Sequence, residues 1–432
     1  MKITVVSQVY NQNPAYLRQS IESVLNQTFR NLELLLLDNG CTDGSSEILS
    51  EYAAADPRIR LLRYCSNVPG PRWLFALRDH AVGDYFSLID SDDWWEPDYL
   101  ERLAALAESE KADIVCTGTQ MHEEGTGRMP QRKMLRRLVL ERAQYPTYFP
   151  LWLTFISPCW GKLVQRSLIG MQDADAQFLY PLFENDIHIS LDWLSCCERL
   201  CIDDSLLHHC RIRQKSLVHT FHPEMMAGGA SICHTLYSFL LSFGQVSLPN
   251  RLYIERFYAL RMGRDVVGSV RASSLTPEEQ LFQLQKMVEL PETQQLLPNH
   301  TPTVQLMKQK ILLAVFEIIE QLGEGNAALW YILDTLSADN LFLHGIRDIG
   351  FLRRFQKLYL LLWEGRYDEA LAEMGTCLDR GEGDNGTFLD LCLALSAAEK
   401  KFPLFLKADA NRKNYRDCPE LSPSVISIEM EK

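Results

Sequence analysis

The sequence predicts an α/β domain over residues 1–222, followed by an all-helical remainder. Three observations carry that expectation. Through residue 118, short apolar runs alternate with stretches whose apolar residues recur at helical spacing. Clusters of Asp, Asn, Ser and Gly stand where several of those runs end. Beyond residue 222 the strand signals stop and long helical stripes take over.

The elements follow in order. Residues 2–9 are β-branched and apolar and read as a buried strand. Asn13-Pro14 supplies an N-cap and a proline at the first helical position. Leu17, Ile21, Val24, Leu25 and Thr28 then form one stripe. Leu32–Leu37 is a second buried strand, and Asp38–Ser45 is a turn rich in Gly and capping residues. A helix is expected over 45–55, a strand over 59–64, a helix over 72–81 and a strand over 85–89. Glu96-Pro97 opens a helix reaching to residue 109, and 112–118 is another strand. Such alternation argues for a parallel sheet covered on both faces. In sheets of that kind, ligands bind beyond the carboxyl ends of the strands. Further along, residues 200–207 read as a hairpin, and the basic stretch 129–142 reads as a solvated helix, with contact to an anionic acceptor or membrane surface as the alternative.

The strongest chemical signal follows the strand at 85–89. The chain runs directly into Asp90-Ser91-Asp92-Asp93. A buried carboxylate without a partner is costly, so a packed core does not want these charges. At a strand end, two of them can hold a divalent cation. Hard oxygen ligands suit Mg²⁺ or Mn²⁺, which share their shell with substrate phosphates. The alternative is an acidic turn capping the helix at Pro97. Composition narrows the partners. The chain has 432 residues, 47% of them hydrophobic, with a net charge of −13. That charge argues against a nucleic-acid backbone as partner. No apolar run approaches the length of a membrane span, and the N-terminus lacks a signal pattern. The expected location is therefore the cytoplasm, with the inner face of the membrane as a further station. The twelve cysteines are expected to be reduced thiols. Cys196, Cys197, Cys201, His208, His209 and Cys210 have poor spacing for zinc.

Several of these segments together resemble a known family. They are Val9-Tyr10-Asn11, the stretch Leu17 to Phe29, the turn Leu37 to Ser45, Gly83-Asp84-Tyr85, and Asp90 to Trp94. In order and spacing they are similar to family 2 glycosyltransferases of the GT-A fold. Trp160-Gly161-Lys162-Leu163, Glu184-Asn185-Asp186 and Leu206 to Ser216 extend the likeness. The resemblance implies a Rossmann-like nucleotide-diphospho-sugar transferase domain that moves a sugar to an acceptor hydroxyl. It implies that Ser7, Val9, Tyr10, Asp38, Asn39, Arg72, Asp90 and Ser91 hold the donor nucleotide. Asp92, with Asp90, would ligate Mn²⁺ or Mg²⁺ on the diphosphate. Asp186 would be the general base, with Glu184 as the alternative. Trp160, Lys162, Arg211 and Arg213 would contact the acceptor or close over the donor, with Lys215 beside them. A UDP-sugar is the favoured donor and a glycan or lipid-linked molecule the acceptor, in bacterial surface polysaccharide or glycoconjugate synthesis. Asn39 stands where the family often has Asp, and Gln8 where it often has Pro. Two other classes stay open: a degenerate nucleotide-sugar-binding scaffold, and a sugar nucleotidyltransferase.

The remainder divides into helices over 223–350 and tetratricopeptide-like hairpins over 351–421, centred on Gly365 to Leu371. Residues 422–432 read as a disordered tail. The helical domain is a candidate for membrane or protein contact.

Overall fold

The computed structural model describes residues 1–67, 70–169, 185–213, 221–323, 325–399 and 408. It divides into two compact units, Met1–Ser269 and Val270–Lys432.

The first unit begins β1 (Ile3–Val9), α1 (Pro14–Leu25), β2 (Leu32–Asp38), α2 (Ser45–Ala55), β3 (Ile59–Arg63), α3 (Arg72–His80) and β4 (Tyr85–Leu88). It continues with β5 (Trp94–Trp95), α4 (Tyr99–Glu110), β6 (Ile114–Glu123), β7 (Gln131–Arg132) and β8 (Leu138–Glu141). Then come α5 (Tyr145–Ile156), β9 (Lys162–Gln165), α6 (Asn185–Cys196), β10 (Arg199–Ile212), α7 (Glu224–Leu241) and α8 (Leu248–Leu260). The strands form one sheet in the order β3-β2-β1-β4-β9-β6-β10-β5, with β7 on β6 and β8 on β10. β1, β2 and β4 are buried almost throughout, as a sheet covered on both faces requires. Their parallel register brings Val9 beside Asp38 and Val6 beside Leu88. All the carboxyl ends of this half therefore open on one edge.

Three expectations are corrected, and one short strand is added. The sheet is mixed, because β9 lies antiparallel between β4 and β6. It arrives from α5 through a turn at Gly161 (φ 71°) rather than by a helical crossover. The hairpin at 200–207 is instead part of the single strand β10. The polar triplet Asp203-Asp204-Ser205 is absorbed by register shifts between Ile202 and Leu206. Asp203 turns inward, where Arg102 (3.1 Å) and Arg137 (3.4 Å) neutralise it. The basic stretch is no helix: it forms β7, a crossing segment and β8. Arg132 and Arg137 are drawn to fixed partners on the sheet rather than left on a solvated face. Trp94–Trp95 adds a short strand against β10 that the acidic motif concealed.

The first unit also runs past residue 222. Thr235 on α7 meets the ring of His188 on α6 at 2.9 Å, and Asn250 on α8 donates to the carbonyl of Pro146 at 2.7 Å. The second unit is helical among its described residues. Its helices Gln356–Trp363 and Tyr367–Asp379 form the expected pair, turned by Gly365 (φ 70°). Among the described residues, Cys41, Cys65, Cys116, Cys159, Cys196, Cys197, Cys201, Cys210, Cys377 and Cys392 are in no disulfide. No described helix is long and apolar enough to cross a membrane.

Candidate active site

The acidic cluster stands at the end of β4. Ile89 is still tied into the sheet, its N–H donating to Val6 at 3.1 Å. Asp90 is the first residue to leave it. Its side chain is reachable by solvent but enclosed by protein, as on the floor of a cleft. Burial, then the charges of Asp92 and Asp186, push its carboxyl up to about 7, against the pull of Arg213. Asp90 thus feels both Asp92, two residues on, and Asp186, which lies on α6, far away in sequence. The turn around Asp90 is fixed from outside. Ser20 on α1 donates to the Asp90 carbonyl at 3.1 Å, and Gln12 donates to Ser91 at 3.0 Å.

Asp92 is also pushed upward by burial, with Arg213 opposing. Arg213 meets its Oδ2 at 2.6 Å and Gln12 at 3.3 Å. Arg211 donates to the Asp92 carbonyl through its guanidinium and to Asp93 Oδ1 through its backbone at 2.9 Å. Its guanidinium is sandwiched between the rings of Tyr16 (4.0 Å) and Trp94 (4.4 Å). Asp93 is buried, and its Oδ2 faces buried His208 at 3.5 Å. Desolvation holds the Asp93 carboxyl well above the usual range and the His208 imidazole well below it. Asp93 is a structural acid beneath the floor, whereas Asp90 and Asp92 face the cleft.

The second polar cluster is the turn after β2. Asn39 donates from its backbone to Val9 at 2.9 Å, and its side-chain amide donates to Asn67 at 2.8 Å. Asp38 accepts from the Cys41 N–H at 2.9 Å and from Ser46. Burial works against its charge, but these bonds hold its carboxyl below the ordinary value. Gly40 (φ 76°) is required here: a Cβ would stand 2.5 Å from the Ser66 carbonyl carbon. Across the turn, Asn11 accepts from the Thr42 N–H at 2.8 Å. Tyr10 is exposed beside it, while Ser7 and Val9 are buried in β1. Gln8 reaches both Gly70 and the N–H of Trp73 at 3.1 Å, fixing the start of α3. There Arg72 lies over the ring of Tyr64 at 4.3 Å.

Asp186 sits in the first turn of α6 and accepts from the Cys159 N–H at 3.4 Å. Burial raises its carboxyl, with Cys159 and Lys162 opposing. Glu184 and Lys215 lie outside the described residues. Lys162 is buried: its ammonium donates to the Ile156 carbonyl at 2.6 Å and to Ser190 at 3.3 Å. Trp160 stacks on His208 at 4.6 Å, and the Arg132 guanidinium lies 4.6 Å from its ring. Gln12 and Tyr16 were not singled out by sequence reasoning. The polar run Asn11-Gln12-Asn13 before Pro14 was the available signal.

The donor set fits a hard cation. Asp90 and Asp92 repel one another, and no hydrogen bond is made by the Asp90 carboxylate among the described residues. No described group of three or more acidic, His or Cys side chains forms a closed metal cage. A pair of carboxylates leaves most of a shell for phosphate oxygens and water, the arrangement Mg²⁺ and Mn²⁺ favour.

A mixed α/β sheet with an acidic turn and a capped polar turn at its strand ends fits the GT-A-like domain that the sequence resemblance implies. The family comparison agrees: residues 4–169 match the model of "Glycosyl transferase family 2". Among relatives, EpsH of Bacillus subtilis (strain 168) is 25% identical over 247 residues, covering 55% of this chain and 69% of EpsH. Glycosyltransferase GlyA of Streptococcus pneumoniae serotype 4 is 35% identical over 130 residues, covering 29% of this chain and 18% of GlyA. The chain therefore spans about two thirds of one of these relatives and under a fifth of the other. Among solved structures, S. aureus TarS 1-349 in complex with UDP has a TM-score of 0.46 and 16% identity, covering 82% of this chain and 91% of that one.

Proposed function

We propose that this protein is a metal-dependent, inverting glycosyltransferase that moves a sugar from a nucleoside-diphosphate donor to an acceptor hydroxyl. The observation that carries this reading is that Asp90, at the end of β4, feels the charges of both Asp92 and Asp186. The two ends of such a reaction need opposite things. The departing diphosphate needs positive charge, and the attacking hydroxyl needs a base. Asp90 and Asp92 would hold Mn²⁺ or Mg²⁺, which supplies the charge that lets the diphosphate leave. The turn of Asp38 and Asn39, with Tyr10, receives the nucleoside. The ionised Asp38 accepts only, and the Asn39 amide both donates and accepts, so the pair can read a base edge. A UDP-sugar is the donor we favour. Asp186 takes the acceptor proton. Its raised carboxyl makes it a better base than a solvated aspartate, and a single displacement inverts the anomeric centre. Arg213 leaves Asp92 when the cation enters and meets the diphosphate instead. The acceptor is a glycan or lipid-linked molecule, in bacterial surface polysaccharide or glycoconjugate synthesis.

The test is a thermal-shift panel of UDP, GDP, CDP and dTDP, each with Mn²⁺ or with chelator. The expected result is stabilisation by UDP only when the metal is present. Equal shifts with chelator would refute the metal's role. Release of pyrophosphate from a nucleoside triphosphate would move the protein to nucleotidyl transfer.

A further inference from the structure

The segment between β7 and β8 is held at both ends and exposes what lies between. At one end, Arg132 donates to Thr119 (2.9 Å) and to the carbonyl of Thr154 (2.8 Å). At the other, Arg137 reaches Glu110 (3.3 Å) and Asp203 (3.4 Å). The backbone passes close over the sheet at Gly118, where a Cβ would come 2.9 Å from the Arg132 carbonyl oxygen. The preceding turn is pinned as well: the Gln120 amide donates to the carbonyls of Met129 (2.8 Å) and Pro130 (3.2 Å).

Between those anchors, Leu135 is 100% exposed, with Lys133 and Arg136 exposed beside it. Arg128 and Met129, the latter 56% exposed, lie in the preceding turn. None of the cations Arg128, Lys133 and Arg136 has an ion pair among the described residues, in a chain whose net charge is −13. Burying Leu135 would cost the fold nothing if a partner covered it, and leaving it in water forgoes that gain. Two acids, Glu123 and Glu124, flank the turn: Glu123 is engaged by Thr126, and Glu124 by Tyr16.

We infer that the Lys133–Arg136 segment, with the Arg128–Met129 turn, docks on an anionic bilayer surface. An exposed apolar side chain set between unpaired cations suits that surface, where Leu enters the acyl boundary while the cations meet headgroups. A soluble polyanion would use the cations and leave Leu135 in water. The turn that begins this region follows Glu124, whose backbone bonds to Ile212 beside Arg211 and Arg213. Docking there brings the cleft near the membrane, where a lipid-linked acceptor would lie.

The experiment is co-sedimentation of the full chain with vesicles of phosphatidylcholine, with and without phosphatidylglycerol, at low and high salt. Binding is expected only with phosphatidylglycerol and is expected to fall with salt. Each basic residue at such a surface is worth roughly five-fold in binding, so Lys133→Gln/Arg136→Gln should weaken it about 25-fold. Leu135→Ser should weaken it about ten-fold. All these positions are exposed, so the variants should keep the wild-type melting temperature and nucleotide-induced shift. Absence of binding to anionic vesicles overturns the proposal. So does equal binding to neutral vesicles, or unchanged binding by both variants. Binding to soluble polyphosphate that Leu135→Ser leaves intact, without vesicle binding, assigns the surface to a polyanion instead. None of these readouts depends on transfer activity, so this proposal fails or stands apart from the proposed function.

Discussion

Arg213→Ala separates two roles that one side chain plays. In the structure its guanidinium neutralises Asp92 at 2.6 Å, where the proposed cation would bind. Two unit charges about 4 Å apart interact by about 4 kcal/mol at the effective dielectric of a protein surface. Arg213 is 37% exposed and Asp92 14%, so solvent screening reduces this to about 1–2 kcal/mol. Removing the competitor should therefore tighten Mn²⁺ binding, without nucleotide, by roughly 5- to 30-fold. Nucleotide binding at saturating Mn²⁺ should move the other way. A charge-assisted hydrogen bond to the diphosphate is lost, worth roughly 10-fold or more. Calorimetric titration of both variants with Mn²⁺, then with UDP at saturating Mn²⁺, reads the two arms separately. If Arg213→Ala binds Mn²⁺ no better than wild type, the ion pair does not compete with the metal and the reasoning fails. If nucleotide affinity is unchanged, Arg213 does not turn to the diphosphate.

Three further outcomes follow from the same geometry. Asp186→Asn should lower turnover by roughly 10²-fold or more while leaving donor affinity nearly unchanged, read as kcat against nucleotide affinity; an active variant would shift the base elsewhere. The stability of the metal-free protein should fall as pH rises through the window from the ordinary carboxylate value to about 7. Asp90 and its neighbours stay protonated in the folded state longer than in the unfolded one, so ionising them opposes folding. The melting-temperature gain from Mn²⁺ should accordingly grow between pH 6 and pH 8, and a gain that shrinks over that range contradicts the shift. A protein ending at Ser269 should stay soluble and bind nucleotide, whereas one ending at residue 222 should aggregate. The shorter form strips α7 and α8, exposing residues that pack on them and depriving His188 and Pro146 of their partners; size-exclusion chromatography of the two distinguishes them.

Much of the first half of the sheet was legible, because its elements carry local signals. Asn13-Pro14 starts α1 where capping chemistry says it should, the Asn13 side chain accepting from the Ala15 N–H at 2.9 Å. Ser45–Ala55 matches its expected bounds. The second half was less legible because its elements are set by distant partners. Asp203 reads as a turn residue until Arg102 and Arg137 draw it inward. Trp94–Trp95 becomes a strand only because β10 lies alongside. The acidic motif at the end of β4 was legible, since charge after a buried strand is locally conspicuous. Gln12 was not conspicuous, because its role is to bridge Ser91 and Arg213 from elsewhere in the chain. For Lys162 the resemblance implies an acceptor or lid contact, while in the fold burial lowers its pKa and its ammonium is bonded to the Ile156 carbonyl.

The central claim is that Asp92 holds the cation on the donor diphosphate. The direct measurement is nucleotide affinity of wild type and Asp92→Asn, each with Mn²⁺ and with chelator, beside a melting curve of both. The account predicts that wild type binds UDP tightly only with Mn²⁺, and that Asp92→Asn loses this metal-dependent component while remaining folded. A folded Asp92→Asn protein with wild-type, Mn²⁺-dependent affinity would contradict it.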